Sequence, residues 1–298
     1  MLKSQSAMEY LMTYGWAILI IAVVLGALFS LGVFNANNFA PKASSGACQV
    51  FRPNGPGTTM DINLAGECQG LEPQYVAQFN GQTSIATTGY GDLPSSSNAR
   101  SAFGWVNWGN TIASSGLSVI EGYGECSIYG MSGIGVKSGG SLTFVVGGTN
   151  PQSGLVLMPN KWTFFGYTYN SAATTVTMYM NSQSNTIALT GVLNTQFSSA
   201  PIPSAIGGIA TTSAGSGCSG TDFNGLIADV QIYNTSLTQN QIQALYQEGI
   251  GGAPIDLQNI VGWWPLNGNA NDYSGNNNNG QATSVTYTSS WTSGYSAP

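Results

Sequence analysis

Hydrophobic positions follow two regimes along the chain. From Gly15 to Phe34 they are nearly continuous and no residue is charged. At ~1.5 Å per residue that stretch makes a helix of ~30 Å, about the thickness of a hydrocarbon core. Beyond Tyr75 the apolar residues come in short runs with Gly, Asn or Pro between them: "YVAQFNG", "SAFGWVNWG", "GLSVIEGYG", "CSIYGM", "SLTFVVGG", "KWTFFGYTYN", "TTVTMYMN", "AIGGIA" and "FNGLIADVQIYN". Such spacing predicts strands of an antiparallel sandwich. One amphipathic helix interrupts them, "LTQNQIQALYQEG", with Thr238 and Gln241 placed as a capping box and Gly249 placed to end it. Between the regimes, residues 36–73 form a polar hinge containing Pro41 and two short strand-like pieces around the turn "RPNGPG", too small to fold alone.

Composition narrows the function. Charged residues are 6% of the chain, Gly numbers 40, and only six Lys and Arg are set against a net charge of −6. Nucleic acid needs a basic stripe that is missing. Histidine is absent, which removes Ser/His/Asp and Cys/His catalysis and nearly every zinc site. Cys48, Cys68, Cys126 and Cys218 contain no C-x-x-C pair; in an exported domain an even count reads as two disulfides, of three possible pairings. Cys48–Cys68 with Cys126–Cys218 is favoured, because the first staples one short segment.

The opening "KSQSAMEYLMTYGWAILIIAVVLG" resembles the class III signal peptides of archaeal type IV pilins and related filament proteins. The resemblance covers about thirty residues. It implies removal of leader 1–4 by a prepilin peptidase between Ser4 and Gln5, leaving residues 5–35 as a membrane and filament-core helix. It also places the family's assembly glutamate on Glu9. A lone carboxylate beside a greasy run is costly in a dry helix bundle. The new α-amino group of a neighbouring Gln5 can pair with it and favour one stagger. The alternative is an uncleaved anchor in which Glu9 reaches the headgroups.

The runs from Gln74 to Gln247 resemble the laminin-G-type, concanavalin A-like jelly roll. The carriers are "YVAQFNGQTSI", "FGWVNWG", "NKWTFFGYTYNSAATTVTMYMN" and "FNGLIADVQIYNTSLTQNQIQALY", an F-x-G-x-(I/L)-x-(D/E)-(V/L)-x-I-Y strand with its short helix. "VGWWPLNGNANDYSGNNNNGQA" resembles the segment that ordinarily opens this domain, yet it stands near the end. The expected fold is therefore mainly β: a long N-terminal helix, then a circularly permuted jelly roll over 74–298 with 260–290 as the displaced strand.

Glucanases of this architecture carry E-x-D-x-(x)-E on one strand, and no such run is present. Glu121 and Glu125 fall in "EGYGE", expected as a strand end or loop, and no catalytic residue is assigned. Other members bind glycans or proteins through rim loops, often with calcium. Asn269, Asn271 and Asp272 are oxygen donors suited to that ion, and equally to a plain turn. Asn234 opens an N-x-S/T sequon. Of the neighbours Trp263 and Trp264, strand alternation predicts one buried and one outside, available to stack on a ligand. These features point to an extracellular, membrane-inserted and then self-assembling pilin-like filament subunit with an adhesive head for a surface glycan or protein. The alternatives are a monomeric carbohydrate-binding anchored adhesin and an anchored glycoside hydrolase.

Overall fold

In the computed structural model the described residues are 3–30, 46–66, 68, 72–82, 85–88, 92–197, 204–209 and 221–298, with the backbone alone for 3–13, 29 and 85–88. The chain divides into two compact units, Met1–Pro41 and Lys42–Pro298.

The first unit holds helix α1 (Lys3–Ser30). From Trp16 to Ala27 its side chains are apolar and exposed around the whole circumference, Trp16 at 66%, Ile18 at 64% and Val23 at 63% among them. A helix apolar on every side belongs inside a protein core or a bilayer. Among the described residues, which begin for side chains at Tyr14, no helix is long and apolar enough to cross a membrane. Ser4, Gln5 and Glu9 lie within α1, and their side chains are outside the described set.

The second unit is an antiparallel β-sandwich of jelly-roll type. One sheet runs in the order β12 (Gln183–Ala188), β11 (Thr175–Met180), β10 (Trp162–Asn170), β5 (Arg100–Trp108), β14 (Asn224–Tyr233), β3 (Val76–Asn80), β17 (Thr286–Thr288). The other runs β16 (Gln281–Thr283), β4 (Ile85–Thr88), β13 (Ser204–Ile206), β6 (Leu117–Gly124), β7 (Met131–Lys137), β8 (Ser141–Val145), β9 (Gln152–Val156). Between them lies a dry core including Phe79, Val106, Ile134, Phe144, Phe165 and Trp264.

The far edge of β14 is shared by two strands from opposite ends of the domain. Its first half, Asn224–Ile227, pairs with β3, and its second half, Val230–Tyr233, pairs with β15 (Ile260–Trp264). β3 and β15 thus act as one composite strand, with the change-over at Asp229, which takes a left-handed φ of 52°. Inside β15, Gly262 leaves the space that the Trp264 ring fills; a Cβ there would stand 2.1 Å from it.

A second apolar layer covers the outer face of the β14 sheet. Helix α2 (Gln239–Glu248) contributes Ile242 and Leu245, packed with Phe103, Trp105, Phe164 and Trp291. Its Thr238–Gln241 capping box and its end at Gly249 are as the sequence predicted. This layer corrects the expectation for the paired tryptophans. Trp264 points between the sheets and Trp263 points the other way, so the alternation holds, but both are buried, at 0% and 2% exposure. The outward face of β15 is roofed, and no indole of the pair is left for a ligand.

Hairpin β1 (Cys48–Phe51)–β2 (Asn63–Gly66) is docked on the sandwich. Val50 N–H donates to Tyr273 O at 2.8 Å. The Arg52 guanidinium donates to the carbonyls of Ser274 (3.0 Å), Ile260 (2.6 Å) and Thr58. Cys48 and Cys68 form a disulfide. Cys126 is also disulfide-bonded, and Cys218 lies outside the described residues.

Candidate functional site

Three loops meet at one rim of the sandwich: the β6–β7 turn, the loop 146–151 after β8, and the exit from β12 at 188–190. They enclose a cleft of about 540 Å³ lined by Tyr129, Lys137, Thr149, Asn150 and Thr190 among others, a size ordinary for a small-molecule site. A neighbouring hollow of about 300 Å³ shares Gly148 and Asn150 with it.

The cleft is built by local backbone constraints. Tyr129 sits in a tight turn at φ 59°, with its carbonyl accepting from Asn194 N–H at 2.8 Å. Its hydroxyl bonds the Thr190 hydroxyl at 2.6 Å. Its ring lies against Gly191, where a Cβ would approach to 2.4 Å. The Asn150 side chain accepts from Val146 N–H at 3.0 Å, which closes the loop on itself. Lys137 Nζ donates to Asn150 O at 3.1 Å. An aromatic ring with a polar tip, two threonine hydroxyls, an amide and an ammonium suit a ligand with apolar faces and several hydroxyl groups.

The sequence-predicted positions lie elsewhere and do not converge. Asp272 organises its own loop: Oδ1 accepts from the N–H of Trp263 (2.9 Å) and Ser274 (2.8 Å), and Oδ2 from Ser274 Oγ (2.8 Å) and Asn278 N–H (2.9 Å). A carboxylate offers about four lone-pair sites, so these bonds fill it. Burial raises its pKa despite those donors. Asn269 Oδ1 accepts from Asn271 N–H at 2.9 Å, and its amide donates to the Tyr273 hydroxyl at 3.2 Å. As arranged, the loop does not fit calcium. Among the described residues no group of three His, Cys, Asp or Glu could hold a metal. Asn234 is exposed at the end of β14.

Glu121 departs from expectation. It lies within β6, beside a bulge opposite β7, rather than at a strand end. It is 1% exposed, and neither carboxyl oxygen meets a protein partner. Desolvation raises its pKa to about 8. Burial raises the hydroxyl pKa values of Tyr123 and Tyr167, and a charge on Glu121 would push both further up. Glu125 follows the end of β6, half-buried, so the two do not form a pair on an open face.

Asp229 occupies the acidic position of the F-x-G strand motif. It accepts from Trp263 Nε1 at 2.7 Å and from the Gln231 amide at 3.2 Å, and Gln231 Oε1 accepts from the Tyr233 hydroxyl at 2.5 Å. Burial raises its pKa to about 7. The motif's acid therefore anchors a tryptophan beneath the outer layer.

Sequence reasoning missed the cleft. "CSIYGM" alternates like a strand, but it supplies the turn that carries Tyr129, and the three loops are far apart along the chain. The one local hint is a tyrosine in a Gly-flanked turn, next to the Asn-Pro of a second Gly-rich loop.

The two sheets and their strand order define a jelly-roll sandwich domain. The chain belongs to the concanavalin A-like lectin/glucanases superfamily, whose family model matches residues 79–243. A Bacteroides ovatus protein provisionally assigned a carbohydrate-binding role is similar in structure, with 15% identity and a TM-score of 0.57 over 77% of this chain; the chain spans 64% of that protein's length. A SAP-like pentraxin from Limulus polyphemus has 14% identity and a TM-score of 0.47, over 72% of this chain and 94% of its own. The CBM40 of a Ruminococcus gnavus IT-sialidase, bound to α2,3-sialyllactose, has 10% identity and a TM-score of 0.41, over 50% and 83%. No curated protein sequence matches the chain.

Proposed function

We propose that the chain is a surface-displayed carbohydrate-binding protein whose sandwich presents the rim cleft to a glycan while α1 anchors it. The observation that carries this is the cleft itself, with Tyr129, Asn150 and Thr190 converging from three loops. The carbohydrate-binding assignment of the Bacteroides ovatus protein agrees with it. Full-length protein in detergent should bind members of an oligosaccharide panel. Tyr129→Ala should lower that affinity about tenfold, since aromatic contacts often dominate such sites, and Tyr129→Phe, which keeps the ring packed on Gly191, should retain most of it. Absence of binding across the panel sinks the proposal.

The helix suggests how the domain is displayed. An exposed apolar cylinder needs lipid or other helices around it. In the pilin-like reading, leader 1–4 is cut away, Gln5 becomes the amino terminus, and Glu9 pairs with a neighbour's Gln5 to set the stagger of a filament outside the cell. Membrane insertion precedes assembly. Native N-terminal sequencing should start at Gln5, and Glu9→Ala should leave export intact while filaments fail. An uncleaved chain with no filaments would leave the monomeric anchored adhesin. We also read β15 as the jelly roll's opening strand, displaced in sequence, because it shares one edge of β14 with β3.

A further inference from the structure

We infer that the rim cleft selects an acidic saccharide, a sugar chain bearing carboxylate or sulfate groups, with Lys137 as the residue that reads the charge. This rests on the glycan reading of the same cleft.

The argument starts from how few cations the domain has. Of the chain's six Lys and Arg, Lys3 is in α1 and Lys42 lies outside the described residues. Arg52 and Arg100 are buried, and their guanidinium groups are spent largely on carbonyls: Arg52 on Ser274 and Ile260, Arg100 on Ser95, Ser96 and Asn98. That leaves Lys161, exposed ahead of β10, and Lys137. Of the two lysine ammonium groups among the described side chains, one sits half-buried in the cleft of a chain of net charge −6.

Among the described residues no Asp or Glu lines the cleft, and the hydrogen-bond partner of Nζ is a neutral one, the Asn150 carbonyl at 3.1 Å. An ammonium has three N–H donors, so two remain for a ligand. An incoming carboxylate or sulfate would complete the donor set with charge-assisted hydrogen bonds, which are stronger than those to a neutral hydroxyl. The neutral polar groups around it, the Thr190 and Tyr129 hydroxyls and the Asn150 and Thr149 side chains, are of the kind that binds sugar hydroxyls. Charge at one end and hydroxyl partners along the rest describe an acidic sugar better than a peptide or a nucleotide. A polyanion such as nucleic acid would meet repulsion from the rest of the domain.

Lys137 also has a structural task, because its bond to Asn150 O steadies the loop 146–151. The test has to separate the two roles. Full-length protein in detergent would be titrated with size-matched oligosaccharides in three arms: neutral, uronate-bearing and sulfated. The acidic arms should bind about tenfold more tightly than the neutral arm, as expected for a charge-assisted hydrogen bond. That advantage should shrink with added salt. Lys137→acetyl-lysine keeps an N–H donor for Asn150 and removes the charge. It should bring the acidic arms down to the affinity of the neutral arm, with the melting temperature unchanged, and Lys137→Arg should retain the advantage. The relative strength of the uronate and sulfate arms identifies which anion the site takes. Equal binding of all three arms, or an acidic advantage that survives in Lys137→acetyl-lysine, overturns the inference while leaving the glycan reading intact. Failure of every saccharide overturns both.

Discussion

Glu121 should make the sandwich less stable as pH rises, and the size of the effect follows from its surroundings. Its carboxyl is 1% exposed with no protein partner on either oxygen, and burial raises its pKa from the ordinary 4.5 to about 8. In the folded state the group keeps its proton across that window, whereas in the unfolded chain it has released it. Stability is therefore present in full below pH 4.5, falls as pH rises toward 8, and levels off above. At 1.36 kcal/mol per pH unit the loss is on the order of 5 kcal/mol, comparable to the whole stability of many domains. Asp229 acts in the same direction between its ordinary 3.8 and about 7. Its raised value is again a matter of burial, opposed by the Trp263 and Gln231 donors. Urea unfolding of the Lys42–Pro298 unit at pH 5 and pH 8.5 should show several kcal/mol lost in the wild type. Glu121→Gln should remove the larger part of that loss and leave the share due to Asp229. If Glu121→Gln keeps the full pH dependence of the wild type, the carboxyl is hydrated or charged in the folded state and the reasoning fails.

Three further outcomes can be checked. The Cys48–Cys68 bridge closes a loop with a separation of 20 residues, so a Cys48→Ser/Cys68→Ser variant should lose about 3 kcal/mol in chemical denaturation; an unchanged midpoint would show that the hairpin is held by its docking alone. Trp263→Phe removes the indole N–H that bonds Asp229 at 2.7 Å and should cost about 2 kcal/mol, and a neutral result in the same assay would mean that Gln231 suffices to satisfy the carboxyl. Calcium and EDTA should each leave the melting temperature unmoved, because the Asp272 oxygens are already filled by protein donors; a calcium-dependent rise in calorimetry would contradict that.

The parts of the fold that could be read from sequence were those whose partners lie nearby in the chain. The β10–β11 hairpin pairs Asn170 with Thr175 across a short turn, and the capping box of α2 is complete within four residues. Strand β12, "QSNTIA", was missed because it is an edge strand with most side chains in water, so no apolar alternation marks it. The tryptophan pair was misjudged for the opposite reason. Alternation gives the direction of each side chain but not the second apolar layer, in which Trp263 meets Tyr273 edge-on and joins one cluster with Ile242, Leu245 and Trp291. The loop 269–278 looked like a cation site because ligand loops and Asx-rich turns share a composition. What distinguishes them is the source of the donors, and one of the four on Asp272 is the backbone of β15. Of the cleft only fragments could be read, since its loops meet through tertiary packing alone.

The bridged hairpin has a mechanical consequence for a domain held from its N-terminal side. Tension arriving at Cys48 passes through the sulfur atoms directly to Cys68 and on into β3. The intervening segment, with Arg52 and its carbonyl contacts, then carries no load. Roughly 65 Å of chain is stored there, at 3.3–3.6 Å per residue, and is released only if the bridge is reduced. An oxidised tether is short and stiff at this point. A reduced one would pay out its slack only as the hairpin peeled off the sandwich, breaking the Val50 and Arg52 bonds to Tyr273, Ser274 and Ile260.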